Sequence, residues 1–268
     1  MNATREARRL SVAIITLNEE HNLPRCLASL PSGAEVVVLD SGSTDGTRAV
    51  SERHGVRFVT QAFQDHAQQK NAAVALTTRP WVLSIDADEE LTPALREAVV
   101  AATERADAAA PSGYRLRRRL VFMGRRMRFG KTSDRPLRLF QREAGRFESM
   151  IHERVVLANG TAGVLEGELL HYSYANLDDY FRRFNSYTSR IAENHERQGR
   201  PMPPLVTHAL RPWGEFVARY VLRCGFLDGY PGYTYALLSS LYGYVKYAKL
   251  RERLASPATP GEHPESAS

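Results

Sequence analysis

The chain has 268 residues, 43% of them hydrophobic, a net charge of +6 and two cysteines. That is enough apolar material for a full core, as one large domain or a domain with an extension. Cys26 and Cys224 fit no metal or redox spacing, which points to a reducing compartment. No run reaches the ~18 apolar residues of a spanning helix, and the first nine residues carry no apolar signal core, so a cytoplasmic or membrane-peripheral protein is expected.

The first half alternates strands with helices. Leu10 to Thr16 reads as a buried strand, followed by a helix with Asn22 as cap and Pro24 in its first turn. Glu35 to Asp40 is the second strand; the turn Ser41-Gly42-Ser43-Thr44-Asp45-Gly46 leads from it into a helix ending near His54. Val56 to Thr60 is the third strand, Asp65 to Leu76 a helix, and Trp81 to Ile85 the fourth strand. Thr92-Pro93 then opens a helix reaching about Arg105. Single helices between strands imply right-handed crossovers and a mostly parallel sheet. Neither a Gly-x-Gly-x-x-Gly fingerprint nor a Gly-Lys-Ser/Thr phosphate loop is present, which disfavours dinucleotide dehydrogenases and P-loop enzymes.

Beyond Pro111 the pattern changes. Tyr114 to Met123 and Leu137 to Gln141 read as strands, with shorter ones near Val155 and Leu169. Leu177 to about Gln198 is helical, with Tyr180, Phe184, Tyr187 and Ile191 on one face. An aromatic, basic segment runs from Leu205 to Leu250, and the tail from Ser256 is expected to be disordered. The domains expected are an α/β one over 1–175, divided at about residue 110, a helical region over 176–254, and the tail over 255–268.

Charge is unevenly placed. From Arg115 to Arg146 there are twelve Lys/Arg against Asp134 and Glu143, so the rest of the chain is net acidic. Arg117, Arg118, Arg119, Arg125 and Arg126 are expected to face solvent. Arg135 and Arg138, between the acidic motif and His152, are candidates to grip phosphate, on an acceptor or on a donor diphosphate. A nucleic-acid partner is not expected, since no recognition motif or stacking platform appears.

Polar chemistry falls at the strand ends: Thr16-Leu17-Asn18-Glu19 after the first, Asp40 with Ser41 and Asp45 after the second, and Asp86-Ala87-Asp88 after the fourth. Gln68-Gln69-Lys70-Asn71 lies at a helix start. In a parallel sheet these carboxyl ends share one edge and converge on one crevice. Paired hard oxygen ligands there suit Mg²⁺ or Mn²⁺ carrying a diphosphate. Glu89 and Glu90 extend the acidic run, as a third acidic site residue or as solvent-facing charge at a helix start.

The runs Val12-Ala13-Ile14-Ile15-Thr16-Leu17-Asn18-Glu19, Val38-Leu39-Asp40-Ser41-Gly42-Ser43-Thr44-Asp45-Gly46-Thr47 and Asp86-Ala87-Asp88-Glu89 together resemble family 2 glycosyltransferases of the GT-A fold. Phe147-Glu148-Ser149-Met150-Ile151-His152-Glu153 and Gly225-Phe226-Leu227-Asp228-Gly229 are similar to the lipopolysaccharide-core glucosyltransferase branch. The resemblance implies that Thr16, Asn18 and Glu19 line the base and ribose pocket, and that Asp40 holds the uracil or ribose with Lys70 and Asn71 nearby. It implies further that Asp86 meets the ribose or sugar and that Asp88 ligates the metal. It carries with it an inverting transfer of one sugar, glucose first among the choices, from a UDP-sugar to a lipopolysaccharide-core or related glycan. It implies a free or lipid-linked glycan as the acceptor, phosphorylated or not, and makes 1–175 the catalytic domain, with a nucleotide-sugar donor half over 1–110 and an acceptor half over 111–175.

An in-line attack needs a base on the far side of the sugar. Glu148, His152 and Glu153 are the candidates, and the resemblance favours Glu153. His152 stays open as metal ligand, phosphate contact, orienting group or structural histidine. The aromatic and basic residues between Trp213 and Lys249 suit either a membrane headgroup boundary or packing on the catalytic domain. The competing functions are a sugar nucleotidyltransferase and a non-catalytic sugar-nucleotide-binding protein.

Overall fold

The computed structural model describes residues 6–105, 110–148, 153–158 and 160–255. The elements of the donor half are β1 (Leu10–Thr16), α1 (Leu23–Ala28), β2 (Glu35–Asp40), α2 (Thr47–Arg53), β3 (Arg57–Thr60), α3 (His66–Ala75), β4 (Trp81–Asp86), β5 (Glu89–Leu91) and α4 (Pro93–Thr103). Nine short strands follow: β6 (Gly113–Arg115), β7 (Arg118–Phe122), β8 (Arg125–Arg126), β9 (Ser133–Asp134), β10 (Leu137–Gln141), β11 (Gly145–Glu148), β12 (Arg154–Leu157), β13 (Ala162–Val164) and β14 (Leu169–His171). The helices α5 (Leu177–Arg197), α6 (Leu205–Val217) and α7 (Gly229–Ala255) complete the chain, with a π-helical turn Ala218–Leu222 and a 3₁₀ turn Gly225–Asp228 between the last two.

The main sheet runs β13-β6-β10-β4-β1-β2-β3. Its β4-β1-β2-β3 part is parallel, and β10 is antiparallel to both β4 and β6. Both faces are covered, so β1, β2 and β4 are near-continuous apolar runs. Val12, Ile14, Val38, Leu83 and Ile85 enter one core with Leu23 and Leu95. The alternate residues Ala13, Leu39 and Val82 enter a second core with Ala67 and Ala73 of α3 and with Phe140 and Phe147. This is the mixed α/β class expected, with a helical C-terminal region.

Local signals mostly act as read. The Asp65 carboxylate caps α3 by accepting from Gln68 N–H at 2.8 Å, and the Thr92 hydroxyl caps α4 ahead of Pro93. Asn22 differs: its side chain makes no cap and instead donates to Glu19 at 2.7 Å. The single strand expected over Tyr114 to Met123 is two strands in different sheets, because Leu116 turns into the core between β6 and β7. In the smaller sheet β14 lies between β5 and β7, antiparallel to β5, with His171 opposite Glu89.

The chain divides into two compact units, one over residues 1–121 and 132–173, the other over 122–131 and 174–268. Residues 122–131, expected in the catalytic domain, therefore group with the helices. Asp228, fully buried, is the reason: its Oδ2 accepts from the backbone N–H groups of Arg128 and Phe129, both at 2.9 Å. Phe122 also packs edge-on to Tyr174 and Tyr180. On α5 the buried face holds Tyr180, Thr188, Ala192 and His195, while Tyr187, expected on it, is exposed. Lys249 of α7 ties the two helices, donating to Asn185 Oδ1, Thr188 Oγ1 and Ser189 Oγ at 2.7–2.9 Å. The tail from Ser256, and His152 with it, lie outside the described residues.

Candidate active site

Three strand ends form the floor. In the parallel register Thr16 is beside Asp40 and Ile15 beside Asp86, so β4, β1 and β2 stop together and their polar residues share one edge. The Thr16 hydroxyl there is buried with no hydrogen-bond partner. Polar groups of that kind carry a desolvation cost unless something fills the site.

Asp40 is committed to its own turn. Its Oδ2 accepts from the N–H groups of Gly42 at 2.9 Å and Ser43 at 2.8 Å, and its Oδ1 accepts from the Ser43 hydroxyl. This locks the loop after β2, which then meets the loop after β1. Asn18, in the left-handed region at φ 55°, accepts from Thr44 N–H at 2.8 Å, and Glu19 N–H donates to Thr47 Oγ1 at 2.9 Å. Glu20 accepts from Gly46 N–H at 2.7 Å; a Cβ at Gly46 would sit 2.6 Å from that carboxylate. The two loops form one braced rim.

Asp86 sits between two buried cations. Lys70 Nζ lies 3.1 Å from its Oδ1, and Arg138 Nη2 donates to its Oδ2 at 2.9 Å. Burial alone would push this carboxyl up, but Lys70 and Arg138 outweigh it and hold Asp86 well below the usual carboxylate range. Lys70, only 2% exposed, also reaches Glu153 Oε1 at 3.2 Å. Glu153 is thereby brought into the same charge network from the start of β12. Its carboxyl is lowered too, burial being outweighed chiefly by Lys70.

Glu89 is neither solvent-facing nor at a helix start. It is buried in β5, its Oε2 accepting from Asp86 N–H at 3.0 Å and its Oε1 facing Arg118 at 3.2 Å and Arg138 at 3.5 Å. Arg138 is thus occupied by protein carboxylates, while the Arg135 side chain is exposed. Arg118 and Arg119 are not solvent-facing either: Arg118 also forks onto Asp134, and Arg119 pairs with Glu168. Arg117, Arg125 and Arg126 are exposed as expected, as is Glu148. Both polar groups of Asn71 are taken by the Phe147 backbone, Nδ2 donating to its carbonyl at 2.8 Å and Oδ1 accepting its N–H at 2.9 Å.

Asp88 is the least satisfied carboxylate of the site. Its Oδ2 lies 3.3 Å from His171 Nε2, and its Oδ1 is buried without a hydrogen-bond partner. His171 arrives through strand pairing, since β14 lies against β5 and Tyr172 N–H donates to Asp88 O at 2.9 Å. Burial pulls the imidazole down, but the hydrogen bond it donates to Asp88 outweighs this and raises its pKa. Sequence reasoning missed His171. A short strand is expected near Leu169, but Leu169-Leu170-His171, an apolar run ending on a ligand-competent side chain, is too brief to mark its last residue.

Among the described residues no group of three or more His, Cys, Asp and Glu is placed to hold a metal ion. The donor set Asp88 and His171 nonetheless fits Mg²⁺ or Mn²⁺, which use one or two protein ligands and complete their shell from phosphate and water. The orphaned Asp88 oxygen is the observation that makes the fit.

The sequence profile of Glycosyl transferase family 2 matches residues 11–155, more than half of the chain and the stretch that supplies the strand ends at Thr16, Asp40 and Asp86, while His171 lies beyond it. The chain belongs to this family. It is 32% identical over 263 residues to the lipopolysaccharide core biosynthesis glycosyltransferase LpsC of Rhizobium meliloti, covering 94% of this chain and 95% of that one. An uncharacterized glycosyltransferase of Rickettsia typhi is 26% identical over 91% of this chain and 87% of its own. Among solved structures, glucosyl-3-phosphoglycerate synthase from Mycobacterium tuberculosis, in complex with Mn²⁺, UDP and glucosyl-3-phosphoglycerate, matches 44% of this chain and 45% of its own at 23% identity and a TM-score of 0.34. The protein is a family 2 glycosyltransferase. No helix of the described residues is long and apolar enough to cross a membrane.

Proposed function

We propose that this glycosyltransferase moves a single sugar, glucose first among the candidates, from a UDP-sugar to a lipopolysaccharide-core or related surface glycan, with inversion and with Mg²⁺ or Mn²⁺. The observation that carries the reading is the buried, unpartnered Asp88 oxygen beside His171, on the edge where the Thr16 hydroxyl is also unpartnered. The likeness over almost the whole length to a protein named for lipopolysaccharide core biosynthesis supports the acceptor class.

Asp88 and His171 hold the metal, which neutralises charge on the departing diphosphate when bound. Thr16, Asn18 and Glu19 line the base and ribose pocket, and the Asp40 turn shapes it. Asp86 stays ionised between Lys70 and Arg138 and sets the position of the loop that presents Asp88. Glu153 takes the proton of the acceptor hydroxyl as the new C–O bond forms and the bond to the diphosphate breaks. A carboxylate lowered by Lys70 is a weak base, so most of the acceleration comes from positioning and from charge stabilisation of the leaving group. The unit over 1–121 and 132–173 is the catalytic domain, and the protein works at the cytoplasmic side of the envelope.

The test is UDP release from UDP-glucose with Mn²⁺, beside Mn²⁺ binding followed by electron paramagnetic resonance in the presence of UDP. Asp88→Ala and His171→Ala should each weaken Mn²⁺ binding at least tenfold and abolish or strongly reduce UDP release. Full Mn²⁺ binding by both variants would remove the metal assignment. Pyrophosphate release from a nucleoside triphosphate and a sugar phosphate would replace transfer with nucleotidyl transfer.

A further inference from the structure

The helical unit carries a one-sided apolar surface that the transfer chemistry does not use. On α6, His208 faces inward, stacked on Tyr244 at 4.5 Å and bonded to the Tyr244 carbonyl through Nε2 at 2.9 Å. Val206, Leu210, Trp213 and Val217 recur at helical spacing on the opposite side of that helix, and all are exposed. Trp213 is 71% exposed. Further exposed apolar side chains follow along the chain, Leu222 at the end of the π-helical turn, 74% exposed, and Phe226 and Leu227 on the 3₁₀ turn. An apolar strip of this length is larger than the scattered exposed residues normal on a protein surface.

Beside it lies a cationic loop. Arg125 donates to the Leu227 carbonyl at 3.2 Å, the buried Asp228 holds the backbone of Arg128 and Phe129, and Gly130 N–H bonds Arg223 O at 3.1 Å. Arg125, Arg126, Arg128, Phe129, Leu227 and Asp228 line a cavity of about 400 Å³, where Arg125 lies 3.7 Å from the Asp228 carboxylate. Over residues 122–131 and 205–230 there are seven Lys/Arg against Glu215 and Asp228. Exposed aromatic and aliphatic side chains bordered by arginines match the apolar-beneath-anionic layering of a lipid headgroup boundary.

We propose that this face docks on an anionic bilayer, with the Val206–Leu227 stripe entering the headgroup–acyl boundary and the arginine-lined cavity receiving lipid phosphate. Charge complementarity selects the occupant: a second copy of the chain would bring an equally cationic surface against this one. The attachment extends the proposed function by giving a lipid-linked acceptor a fixed surface on which to be met, but lipid binding is measured without any sugar donor.

Vesicle flotation of the full-length protein tests it, comparing phosphatidylcholine vesicles with vesicles containing one-third phosphatidylglycerol. Binding should require the anionic lipid and should weaken as salt rises toward 1 M, where the Debye length falls to about 3 Å. Each arginine reversed, Arg126→Glu or Arg223→Glu, should lower partitioning at least about fivefold, the effect of one basic charge near an anionic surface. Trp213→Ser with Leu222→Ser should lower it about tenfold or more. Trp81 is buried, so a blue shift of the wild-type emission on anionic vesicles reports Trp213, and lipids brominated near the headgroup should quench it. Equal binding to neutral vesicles, no binding to either, or bound protein with unshifted emission would overturn the proposal. So would a solution dimer, measured by light scattering, that Trp213→Ser converts to monomer. Donor hydrolysis of these surface variants, followed in parallel, should stay at the wild-type rate; its loss in the wild type would count against the transferase reading alone.

Discussion

Lys70→Met isolates what the buried cation does. The substitution keeps an unbranched apolar stem, one atom shorter, and removes the charge 3.1 Å from Asp86 and 3.2 Å from Glu153. At an effective dielectric of about 20, each contact at that distance is worth roughly 5 kcal/mol before desolvation. Removing one partner of a buried pair typically costs about 3–5 kcal/mol. The lower end applies here, because Arg138 still holds Asp86 at 2.9 Å. The Glu153 share is small, since that side chain is 34% exposed and screened by solvent. We therefore expect a loss of about 3 kcal/mol for Lys70→Met and less than about 1 kcal/mol for Glu153→Gln, read from urea unfolding at neutral pH. A loss below about 0.5 kcal/mol for Lys70→Met would refute the idea that the lysine neutralises Asp86. Equal losses for the two variants would transfer its role to Glu153.

Asn71→Ala removes both bonds to the Phe147 backbone and should cost about 2 kcal/mol, with faster hydrogen exchange at the Phe147 amide. Unchanged exchange there would exclude the clamp. Asp228→Ala leaves two backbone N–H groups without their acceptor and should cost about 2–3 kcal/mol, and protease cleavage within residues 122–131 should accelerate. Glu35 accepts from Ser11 and, at 2.8 Å, from Thr78 N–H; these bonds outweigh its burial and lower its carboxyl. A lowered folded-state pKa means that its stabilisation is complete above the ordinary glutamate range, about pH 4.3, and is lost as pH falls below it. Melting temperatures of Glu35→Gln should therefore fall less steeply than wild type between pH 5 and pH 2, and parallel curves would exclude this role.

The strand ends were legible because apolar runs give way within one residue to polar side chains at Thr16, Asp40 and Asp86, and parallel register then forces them to one edge. Partner choice was not legible. Arg138 looks in sequence like a phosphate fork, yet antiparallel pairing of β10 with β4 brings it to Asp86 and Glu89. Asn71 sits on α3 among candidate donor contacts, but only the packing of β11 reveals that Phe147 consumes it. His171 was hidden for the converse reason. Its strand is three residues long, too short for its pattern to stand out, and its place is fixed by β5, a strand that the run Asp86-Ala87-Asp88-Glu89 gives no sign of. Sequence marks which residues carry charge; register decides which charges are already spent.

The excursion of residues 122–131 into the helical unit bears on how the molecule can be divided. The backbone passes between the units three times, so no single cut separates them. A truncation near residue 174 would keep the basic loop while discarding Asp228 and Arg223, which hold its amides. A fragment made that way would carry an unanchored arginine-rich flap, and any activity it lost would report the flap as much as the missing helices.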